Sequence, residues 1–124
     1  MNIHLIRPHL LVVGGTGFIG YHLALTAKNK GWKVTVVSIN KPKKHRYIKG
    51  VNYLKIDISN LKELKKKLVG SFTYIVNLGG YVSHISFENE KGAVSRTHFM
   101  GVVNLAKVFY KKKIKKFIQI GSSV

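Results

Sequence analysis

The chain has 124 residues, room for one domain at most, and folding at that length removes about two-thirds of the unfolded chain's surface from water, so a true core is available. A hydrophobic share of 45% excludes a disordered polymer, and the absence of cysteine excludes disulfides and thiolate metal sites and leads to the expectation of a reducing, cytoplasmic location. The 22 Lys and Arg face four acids, Asp57, Glu63, Glu88 and Glu90, for a formal net charge of +18, so an anionic partner has to be weighed against a merely Lys-rich solvated surface.

Leu10 to Gly14 is a short, continuously apolar run, which predicts a strand buried on both faces; it is too short for a signal-peptide core or a membrane span. Phe18 to Lys30 has helical spacing at Phe18, Ile19, Leu23, Ala24 and Ala27, and Gly31 stands at the stop. Trp32 to Ile39 predicts a second strand, Asn40 to Gly50 a basic loop with a single turn of structure, and Val51 to Ile58 a third strand. Ser59 or Asn60 caps a helix carrying Leu61, Leu64 and Leu68 on one face, and Gly70 ends it. Thr73 to Leu78 predicts a fourth strand. A loop from Gly79 to about Lys91 leads into a helix reaching Tyr110 with Phe99, Val102, Val103, Ala106 and Phe109 toward the core, and Phe117 to Ile120 predicts a fifth strand. The Lys clusters Lys65 to Lys67, Lys111 to Lys113, Lys115 and Lys116 fall where such helices and loops meet water. Strands alternating with helices imply an α/β fold with a parallel, doubly wound sheet of about five strands and right-handed crossovers.

The first strand-to-helix turn, Gly14-Gly15-Thr16-Gly17-Phe18-Ile19-Gly20, satisfies G-x-G-x-x-G and G-x-x-G-x-x-G together. In that context one glycine allows the turn, one lets backbone N–H groups approach a pyrophosphate, and one lets the helix pack close on the sheet, which marks a Rossmann-type dinucleotide site. About 20 residues on, where an NAD site places an acid on the ribose hydroxyls, stand Ser38, Ile39, Asn40 and Lys41, followed by Lys43, Lys44 and Arg46. A 2′-phosphate suits bases better than acids, so NADP is preferred over NAD; the competing reading assigns these bases to the general Lys excess. Asp57 either accepts from the adenine amino group or caps the following helix.

Val13 to Gly20, Tyr53 to Ile58, Val76 to Gly80, Gly101 to Leu105 and Lys116 to Ser123, in this order and spacing, resemble the N-terminal half of an extended short-chain dehydrogenase/reductase of the NAD-dependent epimerase/dehydratase family. That resemblance implies a sugar-nucleotide substrate, with Phe18 and Ile19 flanking the pyrophosphate, Asp57 and Ile58 holding the adenine, and Leu78, Gly79 and Gly80 lining the ribose and nicotinamide side. It also implies a hydroxyl from Ser122 or Ser123 at the substrate oxygen, though Ser also commonly finishes strands.

The family's chemistry further requires a Tyr with a Lys four residues later, because a free Tyr near pKa 10 is a poor base at pH 7. Here the residues four after the tyrosines are Leu25, Val51, Asp57, Leu78, Ile85 and Ile114, so the pair is missing and the chain resembles a fragment. His98 departs from the family's usual Asn. The histidines His4, His9, His22, His45, His84 and His98 have no metal-ligand spacing, so no metal is expected; Ser83 and His84 fall in the loop that faces substrate in the family. The expectation is thus the cofactor-binding half of an epimerase, dehydratase or reductase, inactive alone, with self-association through an open sheet edge. The alternatives are a non-catalytic dinucleotide-binding or sensor module and a basic nucleic-acid binder, the latter disfavoured because its bases are not interleaved with aromatics.

Overall fold

A computed structural model of the chain describes residues 7–78 and 99–120. Five strands, β1 (His9–Val13), β2 (Lys33–Ser38), β3 (Asn52–Lys55), β4 (Tyr74–Asn77) and β5 (Lys116–Gln119), form one sheet in the order β3-β2-β1-β4-β5. Every neighbouring pair is parallel, with Leu11 level with Thr35 on one side and Ile75 on the other. Helix α1 (Phe18–Asn29) follows β1, α2 (Leu61–Lys67) follows β3, and residues 99–109 are helical and are called α3.

The pleat sends successive side chains to opposite faces, and both faces of β1 are covered. Leu10 and Val12 pack with Val34, Val36 and Val76 against Ala24 and Ala27 of α1. Leu11 and Val13 pack with Val37 and Ile75 against Leu64 of α2 and Leu105 and Phe109 of α3. The doubly wound parallel sheet anticipated from the alternation of strands and helices is therefore present.

Three local expectations are corrected. β3 is shorter than Val51 to Ile58: it is an edge strand, its last ladder contact is Ile56 N–H to the Ser38 carbonyl at 3.0 Å, and Asp57 then turns the chain. On α1 the buried stripe runs through Gly20, Ala24 and Ala27, whereas Phe18 and Ile19 are each 65% exposed. On α3 the buried stripe is Gly101, Asn104, Leu105 and Phe109, while Phe99 and Ala106 face outward. Both buried stripes include small or polar residues, Gly20, Ala24 and Ala27 on α1 and Gly101 and Asn104 on α3, which a count of large apolar side chains overlooks.

Candidate functional site

The sequence-predicted residues that are described gather at the C-terminal edge of the sheet. β1 leads into Gly14, β2 ends at Ser38, β3 passes into Asp57 and Ile58, and β4 ends beside Leu78. Backbone bonds hold these ends level: Gly14 N–H donates to the Val37 carbonyl at 2.7 Å, and Leu78 N–H to the Val13 carbonyl at 2.8 Å. β1 lies between β2, reached through α1, and β4, reached only after β3, so the chain reverses direction across the sheet at β1, the place where open α/β sheets hold ligands.

The glycines divide the work. Gly14 has φ +80°, which lets the chain leave the strand in a tight turn. A Cβ on Gly20 would stand 2.3 Å from the Gly15 backbone, so α1 approaches the loop closely only because Gly20 has none. A Cβ on Gly17 would meet nothing within 4 Å, so this position faces open space. Gly17 is also the N-cap of α1, which has no side-chain cap and no acid in its first turn. Helix α2 differs: Asn60 Oδ1 accepts from Glu63 N–H at 3.1 Å, and Glu63 stands in the first turn. The bare first turn of α1, beside a glycine loop, suits an anion from outside the protein.

On the β2 side, the Thr16 and Ser38 hydroxyls lie 3.0 Å apart, tying the glycine loop to the strand end. They border a cleft of about 430 Å³ that Asn40, Lys41, Tyr47 and Tyr53 also line. The basic segment beyond Lys41 contains a short helical turn, Lys44–Arg46, and Arg46 Nη1 reaches toward the Thr16 carbonyl at 3.5 Å. Tyr53 anchors that segment by accepting from Ile48 N–H at 3.0 Å; burial raises the phenol's pKa, so it remains protonated.

On the β3 side, Asp57 Oδ1 accepts from Ser59 N–H at 3.0 Å and from Ser59 Oγ–H at 2.6 Å. The helix cap is Asn60, so Asp57 does not cap it: the Asp57 carboxylate forms a turn ahead of the helix. Two residues without a sequence-derived role also act here. Asn104 of α3, 1% exposed, donates from Nδ2 to the Ile58 carbonyl at 2.9 Å, and Gly101 lies directly against the Ile58 side chain. A buried Asn on a helical stripe is the signal that would have found the first. Across the sheet, Asn77 Nδ2 donates to Gln119 Oε1 at 2.7 Å, joining the ends of β4 and β5.

Gly79, Gly80, Ser83, His84, His98, Ser122 and Ser123 lie outside the described residues. Among the described residues no three His, Cys, Asp or Glu side chains come together as a metal site, and no helix is long and apolar enough to cross a membrane.

A comparison with curated protein sequences returns no match. Solved structures share the fold. The UDP-glucose 4-epimerase of Thermotoga maritima, solved with UDP-glucose, superposes with a TM-score of 0.76 at 23% identity, covering 90% of this chain and 37% of that one. WbmF of Bordetella bronchiseptica, solved with NAD+, gives 0.78 at 22% identity, covering 96% and 40%. The UDP-glucose 4-epimerase of Thermus thermophilus, also solved with NAD, gives 0.68 at 21% identity, covering 82% and 33%. The chain thus spans well under half the length of each. The model of the NAD dependent epimerase/dehydratase family matches residues 10–124, nearly the whole sequence, and the chain belongs to that family.

Proposed function

We propose that this chain is the dinucleotide-binding portion of an enzyme that epimerises, dehydrates or reduces a nucleotide-linked sugar by hydride transfer, and that it binds NADP in preference to NAD. The observation that carries the reading is the uncapped, acid-free first turn of α1 behind Gly17, where neither a side chain nor a Cβ obstructs a pyrophosphate. Gly14 to Gly20 would hold the pyrophosphate, Asp57 and Ile58 the adenine, and Leu78 with Gly79 and Gly80 the nicotinamide side. When bound, the dinucleotide supplies the hydride acceptor and donor.

The preference for NADP is supported by the β2 end, where Ser38, Asn40 and Lys41, backed by Thr16 and Arg46, offer donors and positive charge and no carboxylate. The family likeness supports the sugar-nucleotide class. Ser122 or Ser123 is the proposed hydroxyl at the substrate oxygen, and the lack of any Tyr-x-x-x-Lys pair predicts that this chain turns nothing over alone.

The net charge of +18 favours a second reading, a nucleic-acid binder, and one experiment separates them. In calorimetric titrations with NADP, NAD and a short DNA duplex at two salt concentrations, saturable binding of NADP ahead of NAD is expected. Binding of DNA alone, disappearing at high salt, would overturn the cofactor reading.

A further inference from the structure

The loop after β3 is held from two directions. Within its own segment, Asp57 Oδ1 is fixed by Ser59, and Asn60 N–H closes a turn onto the Asp57 carbonyl at 3.0 Å. From the far helix, the buried Asn104 donates from Nδ2 to the Ile58 carbonyl at 2.9 Å. One turn earlier on α3, a Cβ on Gly101 would stand 2.6 Å from Ile58 Cδ1 and 2.9 Å from Cγ1. Two positions of α3 thus fix the main chain and the side chain of one residue more than 40 positions earlier.

Neither contact is the cheapest way to build a core. A buried Asn costs the desolvation of an amide, and among the described residues its Oδ1 is buried without a hydrogen-bond partner. A glycine inside a helix loses more conformational entropy on folding than an alanine would. Both are accounted for if the position of Ile58 itself matters. The carboxylate of Asp57 is an acceptor and the neighbouring backbone N–H a donor, and adenine presents an amino donor and a ring acceptor on one edge. Hypoxanthine reverses that pair, so a rigid main chain at residues 57 and 58 is what would distinguish the two bases.

We infer that Asn104 and Gly101 are positioning residues that hold Asp57 and Ile58 in register for the adenine edge of the dinucleotide, and so set base selectivity from the opposite helix. This rests on the cofactor reading above. The test measures binding of NADP and of its hypoxanthine analogue to the chain, with thermal midpoints recorded beside each titration. The wild type is expected to prefer the adenine form. Asn104→Ala should weaken NADP binding about tenfold and bring the two affinities together. Gly101→Ala removes a helix-weakening glycine but presses a methyl onto the end of the Ile58 side chain, two opposing effects that should leave its thermal midpoint little changed while NADP binding and base preference fall. Adding Ile58→Val, which deletes the Cδ1 atom nearest the new methyl, should recover the preference relative to Ile58→Val alone.

If Asn104→Ala does not fold, the Gly101→Ala series decides the matter. Folded variants that bind both dinucleotides as the wild type does would overturn the positioning role and leave the cofactor reading intact, as would a wild type that binds the two bases equally. A wild type that binds neither dinucleotide would overturn both.

Discussion

At Gly17 and Gly20 the same small residue serves opposite needs, and substitution should separate them. Gly17→Ala places a methyl in open space, so the urea midpoint should move little, within the roughly 0.5 kcal/mol usual for uncomplicated surface changes, while dinucleotide binding falls steeply. Gly20→Ala drives a methyl into the Gly15 backbone, which should cost about 1–3 kcal/mol in overpacking and displace the helix start as well. Denaturation curves and titrations on the two variants check both. Equal losses of stability would refute the division. His9 makes a separate statement about pH. Its Nδ1 lies 2.9 Å from the Ser71 carbonyl, an acceptor only, so Nδ1 carries the proton and Nε2 accepts from the Thr35 hydroxyl at 2.8 Å. Burial, followed by the charge of Lys33, lowers its pKa despite the opposing pull of the Ser71 bond. A lowered folded-state value favours the neutral ring, so this contribution is complete above about pH 6.5 and is lost as pH falls through the folded value. His9→Gln should flatten the dependence of the urea midpoint on pH between 7.5 and 5, and an unaltered slope would exclude the site.

At the scale of elements, the sequence was most legible where local chemistry and tertiary role agree. The continuous apolar run at Leu10 to Val13 read as a strand covered on both faces, and Leu61, Leu64 and Leu68 after two capping candidates marked a helix, of which the structure selects Asn60 as the cap. The glycine loop was legible because its spacing bridges a strand and a helix. β3 was misjudged in length because Val51 to Ile58 is apolar enough for a strand, whereas an edge strand stops when its single neighbour stops supplying bonds. The face of α3 was misjudged because Phe99 and Ala106 fit an apolar period, while the helix turns Gly101 and Asn104 inward. That orientation depends on Ile58, which no local window contains. Of the candidate site, the glycines and the ends of β2 and β3 could be placed from the sequence. The hold of α3 on Ile58 could not, because it is a contact between distant segments.

For the whole molecule, two opposing features decide how copies meet. All four residues of β5 are exposed, so Phe117 and Ile118 within it and Ile120 just after it present apolar surface. Unpaired strand edges and apolar patches promote association. The net charge of +18 opposes it by mutual repulsion over about 10 Å at 0.1 M salt and over about 30 Å at 0.01 M. Size-exclusion chromatography should therefore find a monomer at low ionic strength and larger species as salt rises, with Ile118→Lys suppressing the change. A monomer at every salt concentration would show that β5 is not adhesive.

The bare start of α1 has a thermodynamic corollary for the cell. If the proposed dinucleotide binds at that uncapped turn, its supply stabilises the fold: a ligand at 100 times its dissociation constant adds about 2.7 kcal/mol to a fold that binds it. The abundance of such a chain then follows the supply of its ligand, since the unliganded form unfolds more often and is the one that proteases reach.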